Sequence, residues 1–258
     1  LIMGVANDKS IAWGIARACA DAGAELAFSY QGEALKKRVE PLAAEVGATE
    51  VIECDVSDPA SLDGLFGRLK AVWGKLDFVV HAIGFAPAAC LGQDDGLFAA
   101  TWEEVATALQ VSAFSFPALA KAVRPTLARG SSIVGLDFDA SVAWPAYDWM
   151  GVAKAALESV TRYLARDLGP MGIRVNLVSA GPIKTIAAKS IPGFVDLENG
   201  WSTRAPLGWD TSDPTPVARA AVALLSDLFP ATSGSMVMVD GGFHALGFGK
   251  KEVAAPAE

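Results

Sequence analysis

Histidine is nearly absent from this chain: His81 and His244 are the only two. So small a supply excludes a histidine-built metal centre. No GxSxG, Walker or HExxH pattern offers a serine nucleophile, a phosphate-cradling loop or a zinc site. No metal is therefore expected. Cysteine is scarce too. Cys19, Cys54 and Cys90 are odd in number, far apart and never in CxxC spacing, which points to buried thiols in a reducing cytosol. Long apolar runs are also missing. The longest charge-free stretches, such as Val105–Ala120, include Gln, Ser and Pro and are too short and mixed to span a bilayer. Basic residues are outnumbered, 21 against 29 acidic, for a net charge of −8. That balance argues against nucleic acid or an anionic membrane as the main partner. No basic-then-apolar leader opens the chain. The opening "LIMGVAN" reads as the middle of a strand, so a few preceding residues of the natural first strand are expected.

What is present is a regular alternation. Strand-like runs fall at 1–6, 25–30, 50–54, 77–83, 132–136, 173–179 and 236–240. Helical patterns fill 10–22, 33–46, 59–73, 101–128, 146–168 and 215–229. The strands are continuous apolar runs, as expected where both faces of a sheet are covered. The fold class this predicts is α/β: a Rossmann-like, doubly wound, seven-stranded parallel sheet with helices on both faces. A single domain is expected over 1–248, with an Ala- and charge-rich flexible tail over 249–258.

Ligands of such a sheet bind beyond the carboxyl ends of its strands, so residues just after each strand become candidates. After the first strand, Gly4 allows a turn close to a phosphate, and the following helix would aim free N–H groups at a pyrophosphate, with Ser10 placed to cap it. Asp55 follows the third strand, where a carboxylate can accept from an adenine amino group. Asp58 reads instead as the cap of the helix at Pro59. Gly84 ends the fourth strand and lets the backbone approach a ribose or nicotinamide. His81, inside that strand, reads as a core histidine. Gln31 and Glu33 follow the second strand with no Arg or Lys beside them for a 2′-phosphate, which favours NADH over NADPH.

Tyrosine is as rare as cysteine, at three residues. Tyr147 lies seven residues before Lys154, a helical advance of ~700°, so the two share one face. Tyr30 and Lys37 have the same spacing, but only Tyr147 follows the fifth strand. A ribose between the pair would leave Lys154 on its hydroxyls and the phenol on the substrate.

These residues resemble a known family. A classical short-chain dehydrogenase carries Tyr-x3-Lys, and this chain has Gly151 at that position. Tyr-x6-Lys is the pattern of the divergent branch, the NADH-dependent enoyl-acyl-carrier-protein reductases of type II fatty-acid synthesis. "GVANDKSIAWGIA", "FSYQGEALKKRVEPLA", "DFVVHAIGFA", "PAYDWMGVAKAALES", "GIRVNLVSAGPIKT" and "MVDGG" are similar to that family in the same order. The resemblance implies that Gly4, Ser10 and Ile11 hold the pyrophosphate side of NADH, and that Gln31, Asp55 and Val56 line the adenosine. It places Ile83, Gly84, Lys154, Ile183 and Thr185 on the nicotinamide half, with Ala86, Phe138 and Tyr147 at the substrate. The implied activity saturates the trans-2 double bond of an enoyl thioester, through an enolate stabilised by Tyr147. A homotetramer in the cytoplasm is implied as well.

Two departures stand out. Phe138, nine residues before Tyr147, replaces a second tyrosine found in many members, and a phenylalanine can only shape the site. Between Lys189 and Arg204 no basic residue suits an acidic carrier protein, while Asp196 and Glu198 are present. Carrier docking would then use Lys184, Lys189 and Arg204, or the thioester is partly a CoA ester. Two alternatives to enoyl reduction stay open: a 3-oxoacyl or ketone reductase on the same scaffold, and a non-catalytic dinucleotide sensor.

Overall fold

The apolar runs become strands of one sheet in the computed structural model, which describes residues 1–247. The expected tail over 249–258 lies outside the described residues, as does residue 248. In chain order the strands are β1 (Ile2–Met3), β2 (Ala27–Tyr30), β3 (Glu50–Glu53), β4 (Leu76–His81), β5 (Leu127–Asp137), β6 (Arg174–Ala180) and β7 (Met236–Val239). All pairings are parallel, and the order across the sheet is β3-β2-β1-β4-β5-β6-β7. The order reverses between β1 and β4, which opens a crevice at their carboxyl ends.

Helices cover both faces: α1 (Ile11–Asp21), α2 (Gly32–Glu45), α3 (Pro59–Trp73), α4 (Trp102–Leu109), α5 (Ser115–Val123), α6 (Asp148–Leu168), α7 (Phe194–Arg204) and α8 (Thr215–Leu225). Side chains alternate across a strand, so β5 sends Ile133 into one layer and Val134 into the other. On one face Ile133 packs with Leu65 of α3, Phe116 of α5 and Leu157 of α6. On the other, Val134 joins Ile15 of α1, Val39 of α2 and Val217 of α8. Among the described residues no helix is long and apolar enough to cross a membrane.

The larger departures from the sequence pattern have identifiable reasons. The single helix expected over 101–128 is α4, a π-helical turn over Gln110–Phe114, and α5. Pro117 cannot donate the helical bond to the preceding turn, and the wider turn sits just ahead of it. Pro125 then ends α5 in a 3-10 turn, and β5 starts at Leu127, five residues earlier than the apolar run. Helix α8 stops at Leu225 rather than running to Phe229, because the buried Arg174 guanidinium donates to the carbonyls of Leu224 (2.6 Å), Leu225 (3.4 Å) and Ser226 (2.7 Å). Those orphan C-terminal acceptors are thereby satisfied by a cation. Helix α7 lay in no expected helix; it opens after Gly193, whose φ of +68° is cheap only for glycine, and buries Leu197 and Trp201.

Candidate active site

At the reversal point Gly4 is required by the sheet itself. Its φ is +97°, and a Cβ there would lie 2.0 Å from the Ala82 carbonyl oxygen, so β1 and β4 close on each other only through a bare backbone. The turn that follows is tied by Ser10, whose hydroxyl oxygen accepts from the N–H groups of Ala6 and Asn7, both at 3.0 Å. Ser10 does occupy the N-cap position of α1, but its side chain makes no capping bond, contrary to expectation. The hydroxyl is already committed to the turn. The first N–H groups of α1, beginning at Ile11, are left without a side-chain cap and face the crevice end of β1.

Asp55 and Val56 leave the end of β3. The Asp55 carboxylate accepts from the Ser57 N–H (2.9 Å) and hydroxyl (2.6 Å). The Ser57 hydroxyl, above all, holds its pKa below the usual aspartate value, and the Gln31 amide from the end of β2 adds to this. Asp58 caps α3 through the Ala60 N–H, as expected. Gly84, after β4, has room: a Cβ there would meet only the Ser112 hydroxyl, at 3.8 Å. Nothing in the protein therefore demands glycine at 84. Ser112 itself was not anticipated. From the π-helical turn its hydroxyl accepts from the Phe85 N–H (2.9 Å) and donates to the Phe85 carbonyl (2.8 Å), pinning the loop after β4.

His81 is fully buried. Its Nε2 lies 2.8 Å from the Ser115 hydroxyl, which itself donates to the Val111 carbonyl. The ring thus donates to the serine and is neutral; burial, then Lys154, lower its pKa to about 3. It is the core histidine that its place within β4 suggested.

Tyr147 sits at the N-cap of α6, and Lys154 lies in the helix's second turn; both are buried. The tyrosine is flanked by two strained residues, Ala146 (φ +59°) and Asp148 (φ +35°). Such conformations cost about 1–3 kcal/mol each outside glycine. One anchor is visible: the Asp148 carboxylate accepts from the Gly92 N–H at 2.8 Å. A Cβ placed at Gly151, the position of the classical lysine, would meet the Tyr147 ring at 3.6 Å, ordinary van der Waals contact. Burial keeps the phenol protonated by raising its pKa well above the ordinary value, and it keeps the Lys154 pKa below its own. The Lys154 ammonium donates to the Leu136 carbonyl on β5 at 2.8 Å.

Phe138 and Ala86 pack against the cluster that holds Tyr147. Sequence reasoning missed how far this apolar wall extends. Phe138 also contacts Trp144 (5.3 Å between centroids) and Trp201 (5.7 Å), and Trp201 stacks on Phe243 at 3.8 Å. Ile183 is buried after β6, and the Thr185 hydroxyl accepts from the Ala188 N–H. The supposed carrier-docking positives are largely engaged. Lys184 pairs with Glu198 at 2.8 Å, and Arg204 lies 4.2 Å over the Phe243 ring while donating to the Leu246 carbonyl; Lys189 is exposed.

Residues 4–244 match the family described as Enoyl-(Acyl carrier protein) reductase. The chain belongs to that family. It is 48% identical to enoyl-[acyl-carrier-protein] reductase [NADH] 1 of Rhizobium meliloti, over 99% of this chain and 93% of that protein. It is 44% identical to the enoyl-[acyl-carrier-protein] reductase [NADH] of Mycolicibacterium smegmatis, over 94% of each. Its fold superposes on the crystal structure of FabI from Candidatus Liberibacter asiaticus with a TM-score of 0.92, at 40% identity over 96% of each chain. Tyr147 and Lys154 follow β5, and Lys154 bonds the Leu136 carbonyl near the end of that strand, so both stand at the carboxyl end of the sheet.

Proposed function

We propose that this chain catalyses the NADH-dependent reduction of the trans-2 double bond of an enoyl thioester, in fatty-acid elongation. The observation that carries the reading is the buried pair of Tyr147 and Lys154 on α6, set beside the apolar wall of Ala86 and Phe138. The residues fit a dinucleotide. Gly4 and the Ser10-tied turn leave the N-terminus of α1 uncapped for a pyrophosphate. Ile11 stands at that helix start; Gln31, Asp55 and Val56 would hold the adenosine end, and Ile83, Gly84, Ile183 and Thr185 the nicotinamide half, where Lys154 would offer its remaining ammonium hydrogens to the ribose hydroxyls. When bound, NADH would supply the hydride that reaches the β-carbon, and a proton taken up at the α-carbon completes the saturated thioester.

Tyr147 acts on the substrate. Negative charge gathers on the thioester oxygen as an enolate forms, and the phenol, protonated because it is buried, donates to that oxygen. One donor aimed at developing charge lowers a barrier by ~3–4 kcal/mol. Phe138 adds no donor and shapes the acyl side of the pocket.

The carrier is acyl carrier protein, and Lys189, exposed on the segment between β6 and α7, is a cation open to its acidic surface. The enzyme works in the cytoplasm as a homotetramer, and the exposed Phe98, Trp102 and Phe114 give the apolar surface that association would cover. NADH rather than NADPH is supported after β2, where Gln31 and Glu33 follow the strand and the first lysine, Lys36 on α2, is paired with Glu33 at 3.4 Å. The test follows the loss of NADH absorbance with trans-2-enoyl thioesters of several lengths, on acyl carrier protein and on CoA. Rapid turnover of the enoyl substrates is expected. Faster turnover of 3-oxoacyl thioesters would indicate the other reductase, and NADH binding without any turnover would indicate a sensor.

A further inference from the structure

Among the buried polar groups, Asp137 has no structural occupation. It ends β5 and is 5% exposed, and neither carboxylate oxygen has a hydrogen-bond partner of good geometry. Leaving a buried carboxylate so poorly satisfied is costly, and folded proteins keep such costs mainly where they serve a function. Side-chain alternation along β5 settles where the group points. Ile133 faces the α3, α5 and α6 layer and Leu136 the opposite one, so Asp137 faces α6. On that side the groups that act on it are Lys154 and Glu158 of α6, Tyr147 at the helix start and Asp139 from the following loop. Its neighbour on β6 is the uncharged Ser179, and His81 of β4 is neutral. Among the described residues, Lys154 is thus the one cation beside it. The lysine spends a single ammonium hydrogen on the Leu136 carbonyl, one residue before Asp137.

We propose that Asp137 is a positioning residue for Lys154: its carboxylate makes no bond to the lysine in the unliganded fold but attracts the ammonium by its charge and so turns the amine toward a bound dinucleotide. This rests on the reading of Lys154 as a ribose-binding residue. Burial, above all, raises the Asp137 pKa to about 7; Lys154 opposes the shift and Glu158 reinforces it. The carboxylate is therefore the form present above neutrality, and it is lost as the pH falls through about 7. Because the folded pKa is raised, the unliganded protein loses stability as pH rises from the ordinary aspartate range to about 7. Asp137 weakens the empty fold in order to hold Lys154.

The experiment titrates wild type and Asp137→Asn with NADH, read by protein fluorescence, from about pH 8 to about pH 6, and melts both without ligand over the same range. The expected wild-type affinity falls several-fold toward the acid end. Asp137→Asn should bind at that weak acid limit throughout, yet melt several degrees higher than wild type at the alkaline end, with the gap closing as pH falls. A residue with a purely structural role would lower the melting temperature instead, and that result overturns the proposal. So does Asn binding with wild-type strength and pH dependence. A flat wild-type affinity overturns it without any variant. Wild type that binds no NADH at any pH overturns the functional reading along with it, whereas tight but pH-independent binding overturns this proposal alone.

Discussion

The rings of Phe138 and Tyr147 meet edge-on, 5.0 Å apart between centroids and inclined by 60°. The contact belongs to the tyrosine ring, so deleting only the hydroxyl leaves the packing in place. Tyr147→Phe should fold with wild-type stability and bind NADH normally. Its kcat on an enoyl thioester should fall ~10²–10³-fold, the usual loss for one donor to a developing oxyanion. Steady-state kinetics beside an NADH titration check this. A variant that keeps most of its kcat would remove the phenol from the chemistry.

Gly4 and Gly32 make a matched test of why glycine is needed. Both have positive φ, +97° and +73°, but a Cβ at Gly4 would strike the Ala82 carbonyl at 2.0 Å, while at Gly32 it would meet nothing within 4 Å. Gly32→Ala should cost about 1–2 kcal/mol of backbone strain alone. Gly4→Ala must also part β1 from β4, and should cost more than ~4 kcal/mol or fail to fold. Chemical denaturation of the two variants measures the difference. Equal costs would mean that the close approach at Gly4 relaxes freely.

Much of this architecture is legible in the sequence, because parallel strands covered on both faces must be continuous apolar runs. The Tyr147–Lys154 spacing was legible for a similar reason, since a helix turns seven residues back onto one face. What escaped depended on bonds between segments distant in sequence. The end of α8 is set by Arg174, fifty residues upstream of Leu224, and no local pattern carries that. Ser10 looked like a cap by position, but its oxygen is taken by Ala6 and Asn7. Lys184 looked free for a carrier until Glu198 folded back onto it. Asp137 did leave a trace, a charged residue closing an apolar strand in "IVGLD". Its meaning required knowing which face of the sheet it takes and that Lys154 waits there.

His81 gives a pH dependence of stability whose sign follows from its burial. Its pKa is about 3 in the fold and ~6.5 in an unfolded chain. Between those values the unfolded chain binds the extra proton, so this histidine's contribution is intact above ~6.5 and is lost as pH falls toward about 3. Asp137 has the opposite slope over part of that window, so wild type alone cannot isolate either group. His81→Gln can, because Asp137 is common to both proteins. At neutral pH the variant should be less stable by ~1–3 kcal/mol, having lost the bond to Ser115 and the ring contact with Phe116 at 5.3 Å. As the pH is lowered toward ~4 the deficit should shrink, since glutamine has no proton to gain. Urea midpoints at the two ends of the range decide it. A deficit that stays constant would mean that His81 is protonated inside the fold, and that the Ser115 hydroxyl and its surroundings tolerate an imidazolium.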